Sequence, residues 1–256
     1  MSLHGDLAMP WDIVVDGEGN ARQAAILAVH AALLPSAQVL LFGGSEHSFD
    51  RFSDFKGGIP LLKAQVFHHS SETLTNIAQS PSTDLFCCGH AFLGDGRLIA
   101  AGGTLDWPIS FYEGQAPENP HEEMAHWDGE RACWVYNHWQ GRWVRVRDLA
   151  FEPIAGDPDY QQGGGRWYPT LVTLANGSVI AFAGHPNHEH TVHEHINPEI
   201  YSAGKDEWAV HADRILNFRY SVYPRGHLIP DGRIFFVSPN QDDDCGIYDP
   251  ASGDFA

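Results

Sequence analysis

Basic residues, cysteines and long apolar runs are all scarce in this 256-residue chain. Fifteen Lys and Arg stand against 33 Asp and Glu, a net charge of −18 with His neutral. Such a surface repels phosphates, which excludes a nucleic-acid partner. It leaves neutral or cationic small ligands, or solubility alone. No apolar run approaches the ~20 residues of a membrane span. The opening stretch MSLHGDLAMPWDIVV has neither the basic start nor the apolar core of a secretory signal. A secreted or periplasmic location would require a leader already removed, and the compartment stays open. The four cysteines, Cys87, Cys88, Cys133 and Cys245, form no CxxC pair and are too few for a disulfide framework.

What is present is repetition. Hydrophobic residues make up 43% of the chain and aromatics 12%, enough for a large core. Four segments share one form, an apolar strand, a polar turn and a second apolar strand. They are HAALLPSAQVLLFGG (30–44), HAFLGDGRLIAAGG (90–103), TLVTLANGSVIAFAG (170–184) and GHLIPDGRIFFVSP (226–239). The turns GDG, ANG and PDG are hairpin chemistry, because Gly and Asn tolerate positive φ. Each hairpin is followed by a further strand and an aromatic phrase: AQVFHHSSETL (64–74), CWVYNHWQGRW (133–143), PEIYSAGKDEW (198–208) and CGIYDPASGDF (245–255). These phrases read as the second half of a four-stranded unit. The long spacing between the second and third hairpins holds an insertion at about 105–124 and a Gly/Pro-rich loop at 153–165, and long loops on a rigid scaffold shape binding sites.

The pattern resembles kelch repeats, which build β-propellers. The expected fold is all-β, a kelch-type propeller region over residues 1–256. Its four blades lie roughly at 25–75, 84–149, 166–212 and 220–256. More specific are the words FCCG (86–89) and RWYPT (166–170), each leading into a hairpin. Together they resemble the galactose oxidase and glyoxal oxidase family of copper-radical oxidases, the glyoxal-oxidase-like branch most closely, over about residues 11–248. The resemblance implies oxidation of a primary alcohol, an aldehyde hydrate or a carbohydrate, with O2 reduced to H2O2.

Carried over to this chain, it implies a thioether between Cys87 and the ring of Tyr168. Tyr168 would be copper ligand, base and radical, and the cofactors would be copper and the Cys–Tyr radical unit. A one-electron copper centre cannot alone perform a two-electron oxidation, and the cross-linked phenol stores the second equivalent. Cys88 is the neighbour; successive strand residues point to opposite faces, so one cysteine only can face the tyrosine. The family also uses a Tyr-His dipeptide and one more His from later blades, and this chain contains no Tyr-His. The resemblance implies seven blades, the rest supplied by a longer chain or another chain, and little turnover from these residues alone. The alternative is a non-catalytic kelch module that binds a protein or carbohydrate.

Arg225, in YPRGH, is a candidate substrate contact by the same resemblance. Trp167 is placed either on a substrate or packed between blades. GHPNHEHTVHEHINPE (184–199) carries His185, His188, His190, His193 and His195. Imidazoles at that density suit copper, nickel or zinc. His188, His190, His193 and His195 are therefore possible accessory ligands, against a plain solvated loop. His30, His90 and His227, near strand starts, read as hydrogen-bonded core or rim groups.

Overall fold

The computed structural model describes residues 14–21, 24, 26, 28–43, 64–106, 128–150, 152–154, 157–162, 165–184, 197–210, 223–237 and 245–255. These are all strand and connection, and none forms a helix long and apolar enough to cross a membrane. The first sheet is a four-stranded meander of β1 (His30–Leu33), β2 (Val39–Phe42), β3 (Ala64–His68) and β4 (Thr73–Asn76). The second runs β5 (Gly89–Phe92), β6 (Leu98–Ala101), β9 (Cys133–Asn137) and β10 (Arg142–Val146). The third runs β13 (Thr170–Thr173), β14 (Val179–Phe182), β15 (Glu199–Ser202) and β16 (Glu207–Val210). The fourth has β17 (Arg225–Leu228), β18 (Ile234–Val237) and β19 (Gly246–Tyr248), with a bridge from Tyr248 to Phe255. All pairings are antiparallel.

The four hairpins read from the sequence are β1–β2, β5–β6, β13–β14 and β17–β18. The aromatic phrases form the outer strands. In the second and third sheets they pair Tyr136 with Trp143 and Tyr201 with Trp208. Two further strand pairs form among the described residues within and after the second unit. Pairs form between β7 (Thr104–Asp106) and β8 (Asp128–Gly129), and between β11 (Glu152–Ile154) and β12 (Asp157–Gln162). The Pro- and Gly-rich composition suggested loop because each residue weakens a central strand. A two-stranded ribbon tolerates both, since each strand has a free edge.

Strands β6 (LIAA) and β14 (VIAF) are buried at every position. Their alternate residues face two different neighbours. Leu98 and Ala100 join Leu40, Phe42 and Val66 of the first sheet. Ile99 and Ala101 join Val179 and Ala181 of the third, and Ile180 and Phe182 join Ile234 and Phe236 of the fourth. The sheets therefore stack face to face, and an uninterrupted apolar run is what a strand covered on both faces requires. Each fully buried Leu, Ile or Phe contributes about 1.5–3 kcal/mol.

The first strands of the later sheets are neighbours, β13 packing against both β5 and β17. The approach of β5 to β13 is so close that a side chain at Gly89 would meet the Pro169 carbonyl at 2.8 Å. That proximity brings the segments leading into β5, β13 and β17 to one place.

Candidate active site

Cys87, Tyr168 and Tyr223 each lie two residues ahead of a first strand. Each adopts the left-handed conformation, with φ of 62°, 62° and 46°. Non-glycine residues rarely sit there, and each costs of order 1 kcal/mol. Backbone hydrogen bonds hold them in series: the Tyr168 N–H donates to the Cys87 carbonyl (2.8 Å) and the Tyr223 N–H to the Tyr168 carbonyl (3.0 Å). Cys87 thus lies on a turn, not on a strand. The turn separates its side chain from that of Cys88, the separation expected from strand alternation.

The Cys87 thiol is buried and lies beside the Tyr168 phenol and the Trp167 indole. Burial pushes the thiol pKa well up, and the contact with Tyr168 opposes this in part. Burial and the neighbouring Cys87 raise the Tyr168 phenol as well. Both groups are therefore protonated at neutral pH. A protonated thiol is a poor nucleophile, so the pair is unsuited to thiolate chemistry. The Tyr168 ring packs against Trp167 and Tyr223, with centroids 4.1 and 4.5 Å away.

Cys88 points elsewhere. It is buried, its thiol pKa well raised by burial, with Sγ 3.6 Å from His30 Nε2. His30 Nε2 is 3.2 Å from the Leu85 carbonyl, an acceptor, so this nitrogen carries the proton. The His30 ring stacks on Phe42 (5.0 Å) and meets the edge of His90 (5.2 Å). Burial, with His90 nearby, lowers the His30 pKa to about 4, and burial lowers that of His90. The histidine pair is neutral at pH 7.

An open cavity of about 620 Å³ lies over this region. Tyr168, Tyr223, Cys88, His30 and His90 line it, with Arg225 exposed at its rim. Trp167 does not line it; it is half-buried and packed on Tyr168. His227 is exposed. His185, His188, His190, His193 and His195 lie outside the described residues. Among the described residues, no three His, Cys, Asp or Glu side chains are gathered closely enough to hold a metal ion.

Two features carry no flag in the sequence reading. Arg166 and Glu199 form a fully buried ion pair, Nη2 to Oε1 2.7 Å, at 0% side-chain exposure for both. The guanidinium also donates to the carbonyls of Ala183 (2.6 Å) and Asn197 (2.7 Å), and Glu199 Oε2 accepts from the Ala150 N–H (2.6 Å). Through its backbone, Arg166 bonds to Glu130 and Gly103 of the second unit. It fixes the segment two residues ahead of Tyr168. Tyr223 is the other, and the repeated Tyr-Pro of RWYPT and VYPR was the available signal.

No protein-family model matches the chain. In sequence it is 24% identical, over 250 residues, to an aldehyde oxidase GLOX of Vitis pseudoreticulata. The match covers 92% of this chain and 39% of that protein. In structure it matches a fungal alcohol oxidase of the AA5 family in complex with copper, at a TM-score of 0.45 and 12% identity. That match covers 90% of this chain and 64% of the other. The chain thus spans well under half the length of its curated relative, and it is distantly similar to an aldehyde oxidase and to a copper-containing alcohol oxidase.

Proposed function

We propose that this chain is the radical-cofactor part of a copper-radical alcohol or aldehyde oxidase-like protein, with its four sheets as blades of a kelch propeller. The observation that carries the reading is the contact between the Cys87 thiol and the Tyr168 phenol at the shared lead-in of two sheets. Cys87 supplies sulfur to the ring of Tyr168. The S–H and one ring C–H are lost, a C–S bond forms, and the two electrons and two protons reduce O2 to H2O2. The product is a phenol that is easier to oxidise; after losing one electron and one proton to O2 it would be a phenoxyl radical, which could take up one of the two electrons of an alcohol or aldehyde hydrate. The other electron requires a redox metal whose remaining ligands the described residues do not include. Tyr168 would hold that metal through its oxygen, and Arg225 stands where it could meet substrate hydroxyls at the cavity rim. The small-molecule substrate class follows from the distant relatives.

The test is peptide mapping of the full chain by mass after exposure to copper and oxygen. The expected product is a Cys87–Tyr168 peptide pair two hydrogens lighter than the sum. Cys87 that is still alkylated after denaturation, with Tyr168 unmodified, overturns the reading and leaves a binding propeller.

A further inference from the structure

Tyr223 repeats Tyr168 in every local respect. It precedes a proline, leads into a first strand two residues on, takes a left-handed φ, and donates its N–H to the preceding member of the series. Its side chain does something more. The hydroxyl donates to the Cys88 carbonyl at 3.0 Å, a bond across 135 residues. This joins the lead-in of the fourth sheet to that of the second, passing over the lead-in of the third. The Tyr168 ring is 4.5 Å away, at 58°. Tyr223 is therefore held next to the Tyr168 ring, against which Trp167 also packs.

From this geometry we infer that Tyr223 is a positioning residue, a clamp that holds Tyr168 against the Cys87 thiol. The inference deepens the proposed function and rests on that reading for its use in the oxidase. The anchor is a backbone carbonyl, a poor proton acceptor. Tyr223 thus keeps its proton when Tyr168 is oxidised, which confines oxidation to the tyrosine that meets sulfur. The ring fills space and the hydroxyl fixes its place, so the two contributions separate by substitution.

The experiment measures Cys87 alkylation by iodoacetamide in the copper-free full chain, resolved by peptide mass, with Cys133 of the second sheet as the internal control. A buried thiol reacts through local opening, so its rate reports how tightly its surroundings are closed. Losing one hydrogen bond in Tyr223→Phe accelerates Cys87 about fivefold, with Cys133 unchanged. Tyr223→Leu, which loses the ring as well, accelerates it further. Unchanged Cys87 in both variants overturns the inference. So does equal acceleration of Cys87 and Cys133, which marks Tyr223 as a residue of the whole fold. The copper-and-oxygen mapping is then repeated on the variants. A wild-type chain that forms no thioether defeats the proposed function while the alkylation result stands. A wild-type chain that cross-links, with an undiminished yield in Tyr223→Phe, defeats the clamp.

Discussion

Replacing Arg166 by Met tests how the segment ahead of Tyr168 is held. The guanidinium makes four hydrogen bonds to three acceptors, in a site from which both ion-pair partners exclude water. Methionine fills much of the space and makes none of them. Glu199 is left as a buried charge without its cation, which costs about 3–5 kcal/mol. The carbonyls of Ala183 and Asn197 lose a donor, at about 1–3 kcal/mol each where no water replaces it. The expected loss is at least about 5 kcal/mol, comparable with the whole stability of many domains. Glu199→Gln keeps the shape but strands the buried Arg166 cation, and is expected to lose about 3–5 kcal/mol. The double change Arg166→Met/Glu199→Leu should cost less than the sum of Arg166→Met and Glu199→Leu, because it also removes the stranded charge. Urea unfolding followed by tryptophan fluorescence measures all of these. Arg166→Met within about 1 kcal/mol of wild type, or strict additivity of the pair, would refute the argument.

Other outcomes follow from the same structure. His30 has its pKa lowered from 6.5 to about 4, so the unfolded chain takes up the proton first. Its contribution is complete above pH 6.5 and is lost as pH falls towards 4, an effect of about 3 kcal/mol that denaturation curves of His30→Gln should lack. Ile99, fully buried between the second and third sheets, should cost about 2–5 kcal/mol as Ala. Phe235, 36% exposed, should cost much less in the same urea titration. Ala183 holds a left-handed φ of 54°, so Ala183→Gly should be neutral or slightly stabilising in thermal unfolding. Gly102, with φ of 76°, faces the Arg166 carbonyl, and Gly102→Ala should lower the melting temperature clearly.

The hairpins were legible because their periodicity and turn residues are local signals, repeated four times. The β11–β12 ribbon was not, because its pairing overrides a composition that reads as loop. Cys87 and Tyr168 were singled out by resemblance alone, since two residues 81 apart carry no mark of contact in a single sequence. Arg166 was quoted as part of a phrase, yet its partner Glu199 lies beyond the histidine-rich stretch, and buried ion pairs have no sequence period. Tyr223 was passed over for Arg225, although the repeated Tyr-Pro preceded both strands.

The strands covered on both faces have a consequence for how the chain finds its alignment. In a half-exposed strand, a one-residue slip turns apolar side chains to water, and that penalty sets the pairing. Leu98–Ala101 and Val179–Phe182 are apolar throughout, so a slip exposes nothing and the strands are nearly mute about their own offset. The information lies in the turns. Asp95, Asn176 and Asp231 each accept the N–H two residues on, at 3.0, 3.0 and 3.1 Å, and Gly94 bonds to Gly177 from one turn to the next. Shortening a turn by one residue should therefore yield misaligned sheets that remain compact, a kind of error that a core substitution in the same strands would not produce.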